Sequence, residues 1–199
     1  MNVEDILRET HNDTVRALVR ALDMHGPGEG GHAERVAVYA VATGEKLGLD
    51  DDELLLLRRA AALHDVGKIA VDRRLLTKLG ELSEEEFDEI RLHAKLAEEV
   101  IESLPWLRPA LPAIRHHHER WDGRGYPDGL AGDSIPLSAR IIAVAETFDH
   151  LTTCTGWRHQ MTEVEAVAEV ERSSGSQFDP EVVEAFVSVQ SLIQPMQQR

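Results

Sequence analysis

Apolar residues recur at three- and four-residue spacings through most of this chain. Val3, Ile6, Leu7, Val15, Leu18, Val19 and Leu22 keep that rhythm until the cluster Gly26-Pro27-Gly28 stops it. The period is that of one face of an α-helix, and it returns in segment after segment. Strand signals are weak. Aromatic residues make up only 5% of the chain, β-branched alternation is scarce, and Asp122-Gly123 and Asp128-Gly129 lie within a glycine-rich loop rather than between alternating runs. The expected fold class is all-α, and the 199 residues fit one ordinary domain with a proper hydrophobic core.

The boundaries are signposted. A second helix is expected from about His32 to Leu47, closed by Gly48. A third follows Asp50-Asp51-Asp52, an acidic turn that suits the positive end of a helix, and carries Leu54–Leu63. Ser83-Glu84-Glu85-Glu86 is a capping box and predicts a helix reaching Leu104 before Pro105. Arg108 to about His118 reads as a further helix, and Leu137–Leu151 as another. Thr162 caps the next, and Asp179-Pro180 sets an N-cap and a first-turn proline for the last. Glu119–Ile135, rich in Gly, Pro and Asp, reads as a long ordered loop, a feature that in compact domains often carries function. Residues 1–17 form an N-terminal helix: a linker or dimerisation helix or, as the unbroken helical pattern favours, part of the same bundle. The main domain is residues 18–199.

Charge and composition exclude several classes. Lys and Arg number 21 against 36 Asp and Glu, a net charge of −15 with no basic stripe, so a duplex nucleic-acid binder is not expected. An anionic phosphate substrate needs metal ions or a local cationic cluster to reverse the field. The single Cys154 forms no intrachain disulfide and suits a reducing cytosol. The longest apolar runs, Leu54–Leu57 and Ile141–Ala145, are too short to span a bilayer, and the first residues have no signal-peptide pattern. A cytoplasmic protein without membrane contact is expected. The unusual count is ten histidines.

His64 and Asp65 are adjacent and follow the apolar run LLLLRRAAAL, so both side chains are expected to point inward. A buried carboxylate beside an imidazole must be paired or metal-bound. Lys68 lies one helical turn on. His116-His117-His118-Glu119 is the second cluster. Consecutive helical residues point about 100° apart, so the three rings cannot share one ion, but two can reach adjacent ions or opposite sides of one. In Asp122-Gly123-Arg124-Gly125-Tyr126-Pro127, two glycines flank Arg124. The segment is either a structural turn or a place where backbone comes close to an anion. By local sequence His32 and His93 read as surface or satisfied core histidines, as do His11, His25, His150 and His159.

Together, HDVGK at His64–Lys68 and HHERWDGRGYP at His117–Pro127 resemble the signature of the HD-GYP domain, a branch of the HD superfamily of metal-dependent phosphohydrolases. GHAERVAVYA at Gly31–Ala40, LSEEEF at Leu82–Phe87 and FDPEVV at Phe178–Val183 extend the likeness over about Leu18 to Phe186. The resemblance implies an HD-domain helical bundle with a metal centre in its core and an ordered GYP loop. It implies two or three ions, usually iron or manganese, with zinc, nickel, cobalt or magnesium as alternatives. The implied ligands are His32, His64, Asp65, His93, His117 and His118. Asp65 bridges the ions, a water held between them is the nucleophile, and Lys68 stabilises charge on the phosphate. Arg124, Gly125 and Tyr126 line the substrate cleft. The implied reaction is hydrolysis of the 3′–5′ phosphodiesters of cyclic di-GMP to pGpG or GMP, a signalling activity. Other readings are a degenerate domain that binds nucleotide or protein, and a phosphohydrolase of another nucleotide. A regulator on another polypeptide or a homodimer is the further partner expected.

The chain departs from the pattern in three places. The family's usual aspartate in VADxxDAL is Glu146 here, retained as an expected ligand with one more methylene. Members with three ions carry a Glu one turn before the first ligand histidine, where this chain has Gly28, so two ions are expected. A segment that usually reads TSDRPYR is Thr152-Thr153-Cys154-Thr155-Gly156-Trp157-Arg158, in which Arg158 keeps the second basic position and Thr155 replaces the first. Loss of one charge-assisted phosphate contact is worth about 1.5–3 kcal/mol, so binding of cyclic di-GMP is expected to be measurable but weak.

Overall fold

The computed structural model describes residues 2–26, 31–78, 80–153 and 160–197. The described residues contain ten α-helices and no strand. Helix α1 (Val3–His25) opens on an Asn2–Asp5 capping box, and α3 (Asp51–Leu63) on an Asp50–Glu53 one. Between them runs α2 (His32–Lys46), and Gly48 beyond it takes a positive φ of 83°. A 3₁₀ turn, Val66–Ala70, and the short α4 (Arg73–Leu76) follow the His64-Asp65 corner.

The helix expected from Ser83 to Leu104 is two helices, α5 (Glu84–Arg91) and α6 (His93–Glu102). They part at Leu92, whose N–H donates to Glu89 and Ile90 carbonyls in a tightened last turn. The bend turns the His93 side chain into the core. The helix expected from Arg108 to about His118 begins instead as a 3₁₀ stretch, Pro105–Ala110, and becomes regular only in α7 (Leu111–His116). Pro105, Pro109 and Pro112 each lack an N–H, which explains the irregular start. The Glu119–Ile135 segment is a loop containing one 3₁₀ turn, Gly132–Ser134. Three helices complete the bundle: α8 (Leu137–Thr152), α9 (Glu163–Arg172) capped by Thr162, and α10 (Pro180–Gln197).

Helix α2 packs against α3, α8 and α10, while α6 lies along the 3₁₀ turn at Val66–Ala70. The core around α2, α8 and α10 is aromatic, with Tyr39, Phe148 and Phe186 ring centroids 5.1–6.0 Å apart. Burying each such ring contributes roughly 1.5–3 kcal/mol. Helix α1 runs continuously across residue 17. Val15, Leu18 and Val19 pack on the core, whereas Val3, Ile6 and Leu7 are 72%, 46% and 52% exposed. Gly67 sets the closest approach: a Cβ there would lie 1.9 Å from the His93 carbonyl oxygen and 2.7 Å from the Ala97 nitrogen. Among the described residues no helix is long and apolar enough to cross a membrane.

Candidate metal centre

Three buried histidines share one local construction. His64 caps the end of α3, His93 follows the end of α5, and His117 caps α7. A helix end leaves its last carbonyls without intrahelical partners. Each ring uses one: Nδ1 of His64, His93 and His117 lies 2.7 Å from the carbonyl three residues back, those of Ala61, Ile90 and Ile114. A carbonyl only accepts, so each Nδ1 carries a proton and points each Nε2 away from the helix end, where a ring in its neutral form presents a lone pair. Those three Nε2 atoms are buried and make no hydrogen bond.

They converge on Asp65. Its Oδ2 lies 3.4 Å from His64 Nε2 and its Oδ1 3.3 Å from His93 Nε2, contacts too poorly aligned to be hydrogen bonds. Lys68 Nζ donates to Asp65 Oδ2 at 2.5 Å. Burial opposes ionisation of Asp65, yet Lys68 and His64 hold its carboxyl well below the usual carboxylate range. Burial works equally against charge on His64, but the Asp65 carboxylate outweighs it and raises that pKa to about 9. His93 and His117 are lowered chiefly by burial, and His118 falls to about 4 for the same reason.

Glu146, on α8, is 5% exposed and faces these rings. Burial opposes its charge, but His118, His64 and His117 pull its pKa down. His32, at the start of α2, is oriented by Asp149: its Nδ1 donates to Asp149 Oδ2 at 2.7 Å, and Arg35 Nε donates to Asp149 Oδ1 at 2.6 Å. A histidine held through one nitrogen by a carboxylate is a recurrent arrangement around metals.

The ligand atoms fall into overlapping sets. Asp65, His93, His117 and His118 each offer one atom, and the four lie within 4.8 Å of one another. The same holds for His32, His64 and Asp65, and for His64, His117 and Glu146. The residues fit a metal centre on two counts. A buried polar atom left unsatisfied costs about 1–3 kcal/mol, and three ring nitrogens and Asp65 Oδ1 are so placed together. Imidazole and carboxylate without thiolate also suit iron, manganese or zinc.

A cleft of about 310 Å³ opens onto this pit, lined by His117, His118, Glu146 and His150 on one side and by Arg124, Gly125 and Tyr126 on the other. The GYP loop lies directly on the histidine pair. Tyr126 N–H donates to the His118 carbonyl at 3.2 Å, and its ring stacks on His118 with centroids 4.7 Å apart. A Cβ at Gly125 would lie 2.4–2.6 Å from backbone atoms of Arg120, Glu119 and His118, so only glycine allows this approach. Gly123 takes a φ of +76°. Glu119 pins the far side of the loop, accepting from the amides of Asp128, Gly129 and Leu130 at 2.7, 3.0 and 3.1 Å.

The structure thus brings together His32, His64, Asp65, His93, His117, His118 and Glu146, with Lys68 on Asp65 and Arg124, Gly125 and Tyr126 in the cleft wall. Arg158, expected to bind the substrate, and Thr155, which replaces the first basic position of that segment, lie outside the described residues, as do Gly28 and His159. His25 is satisfied as expected, its Nε2 donating to the Val71 carbonyl at 2.9 Å, and His11 stacks on Trp106 with centroids 4.0 Å apart. His150 is different. Read from local sequence as a surface or satisfied core histidine, it lies in the cleft with its ring stacked on His32. Its spacing of four from Glu146 on one helix was the available signal. Asp149, Phe87 and Arg91 are further cleft or supporting residues that sequence reasoning missed, and Glu119, read there as part of the second histidine cluster, braces the loop.

Comparison with known proteins agrees with this geometry. The chain is 38% identical over 184 residues to the cyclic di-GMP phosphodiesterase response regulator RpfG of Xanthomonas campestris pv. campestris, covering 91% of this chain and 48% of that protein. It is 36% identical over 179 residues to 3′3′-cGAMP-specific phosphodiesterase 3 of Vibrio cholerae, covering 90% of this chain and 39% of that protein. The chain therefore spans about half the length, or less, of these curated relatives. A crystal structure of a cyclic GMP-AMP-specific phosphodiesterase from V. cholerae superposes with a TM-score of 0.68 at 23% identity, covering 89% of this chain and 48% of that one, a likeness of fold. The model of the HD domain matches residues 16–182. The paired His64-Asp65 at the centre of the pit and a match over most of the length agree: this chain belongs to the HD domain family.

Proposed function

We propose that this chain is a metal-dependent phosphodiesterase that hydrolyses the 3′–5′ phosphodiesters of a cyclic dinucleotide, with cyclic di-GMP as the first candidate substrate and pGpG or GMP as product. The observation that carries this reading is the convergence of three unpartnered buried Nε2 atoms and Asp65 at the floor of a cleft roofed by the GYP loop. One ion would be held by Asp65, His93, His117 and His118, and a second by His32, His64, Asp65 and Glu146. Bound there, two divalent ions supply Lewis acidity toward the phosphoryl oxygens and a water of lowered pKa.

The chain's own residues do the rest. Asp65 is common to both sets and would contribute a carboxylate oxygen to each. Lys68, 2.5 Å from Asp65, is positioned to balance charge developing on a phosphate in a site with little water. Arg124 stands exposed at the cleft wall, with Arg91 and Arg120 beside it, a cationic rim in a chain of net charge −15. At ordinary salt the domain-wide repulsion is screened within about 8–10 Å, so this rim and the centre decide whether an anion enters. Tyr126 and Gly125 lie against the histidine pair and form one wall of the cleft.

Relatives named for cyclic di-GMP and for 3′3′-cGAMP both support the substrate class, and the two differ in one base. The test is anaerobic purification, metal analysis, and turnover of a panel containing both dinucleotides with and without chelator. Two ions per chain and chelator-sensitive hydrolysis are expected. A protein that retains metal yet cleaves no member of the panel overturns the substrate assignment, and one that takes up no metal overturns the centre.

A further inference from the structure

We propose that His150 is a metal ligand, added from the cleft side to the ion that His32 and Glu146 help to hold; this rests on the metal reading above. His150 lies one helical turn beyond Glu146 on α8, so the two side chains share a face. Its Nδ1 is 3.8 Å from Glu146 Oε1. That is too long for a hydrogen bond. It falls within the separation of two atoms bound to one ion, since bonds of about 2.1 Å set cis ligands about 3.0 Å and trans ligands about 4.2 Å apart. The ligand atoms of His32, Glu146 and His150 all lie within 4.8 Å of one another.

The surroundings fit the assignment. The His150 ring stacks on His32 with centroids 4.5 Å apart and planes 5° from parallel, so the two rings stand face to face beside Glu146, and the 42%-exposed His150 side chain has to turn out of this stack to aim its in-plane lone pair at a shared ion. Asp149, the neighbour of His150 in sequence, fixes His32 through its Nδ1, so one turn of α8 supplies two carboxylates and an imidazole to this wall. The His150 side chain remains 42% exposed and lines the cleft. It is therefore a donor that meets the ion from the side on which substrate enters, while His64 and Asp65 meet it from the buried side. The ion class is a divalent transition metal that accepts nitrogen and oxygen together, such as manganese, iron or cobalt.

A purely structural role, the stacking of one ring on another, predicts a different response to substitution. The test compares wild type, His150→Ala and His150→Phe, each stripped of metal and reloaded with cobalt(II). Cobalt per chain is measured after dialysis against a graded chelator, and visible absorption is recorded at full loading. His150→Phe keeps an aromatic ring over His32 but offers no nitrogen. If His150 is a ligand, both variants lose one of two ions at a chelator concentration at least about ten-fold lower than wild type. Both also change the cobalt absorption, and retention of the other ion shows that the pit is folded. Wild-type retention and spectrum in both variants, or restoration of both by phenylalanine alone, overturns the inference. A wild-type protein that takes up no cobalt overturns the metal centre itself, a separate outcome.

Discussion

Two clusters of histidine and carboxylate sit back to back at the end of α7, and only one of them is unfinished. His116, Glu119 and Asp128 offer ligand atoms within 4.8 Å of one another, just as the residues around Asp65 do. In that outer cluster every group is engaged. His116 donates through Nδ1 to the Pro112 carbonyl at 2.8 Å and through Nε2 to Asp128 at 3.0 Å. Arg115 grips Asp128 with Nε and Nη2 at 2.9 and 3.0 Å, and Glu119 holds three amides of the loop. His117, the next residue, satisfies one nitrogen and leaves the other facing its neighbours. Residue type and proximity are the same in both places. The difference is saturation: a cluster that completes its own hydrogen bonds is a brace, and one that leaves buried polar atoms unsatisfied facing each other is built for something added.

This contrast can be broken at its strongest point. Asp65→Ala removes the carboxylate common to both proposed ligand sets. Metal per chain is expected to fall from two to one or fewer, with turnover below detection, as read by elemental analysis and product assay. Full metal content with full activity would show that the pit is merely another brace. Next in size, Lys68→Met should retain both ions while kcat drops about 10²–10³-fold, because a charge aimed at the transition state is lost. An unchanged kcat would confine Lys68 to its ion pair with Asp65.

The brace is tested by stability rather than by metal. Glu119→Ala strands three loop amides and is expected to lower unfolding free energy by about 2–3 kcal/mol, measured by denaturant titration. Metal content at saturating metal should be retained; loss of both ions with the fold intact would make Glu119 part of the centre. The smallest effect is expected at Asp128, which stands half in solvent. Asp128→Asn should cost no more than about 1 kcal/mol and leave metal content unchanged. A loss of metal there would erase the distinction between the two clusters.

Much of the fold was legible in sequence because helix ends are written in local chemistry. Ser83 and Thr162 cap helices as expected, and α3 opens at Asp51, inside the acidic turn rather than after it. The break at Leu92 was not legible, since nothing local in EIRLHAK forbids a continuous helix, and the turn is fixed by where His93 packs. His64, Asp65 and the histidine triplet announced themselves by adjacency. His32 did not: its supporting carboxylate, Asp149, is 117 residues away, a relation that only the fold creates. His93 was similarly mute, and both entered through resemblance alone. His150 was passed over because a single exposed histidine is ordinarily unremarked, although its spacing from Glu146 was there to be read.

Gly67 bears on how such a centre can change over generations. Backbone touches backbone at that point, and even a methyl group would overlap the His93 carbonyl, 1.9 Å away. The span between Asp65 and His93 therefore has no small adjustable step: the least bulky mutation already forces the turn and α6 apart. Adaptation to a different ion or substrate is channelled to the opposite wall, where α8 presents side chains rather than main chain. Glu146 and His150 stand on that wall, where a substitution meets side chains that can shift rather than main chain.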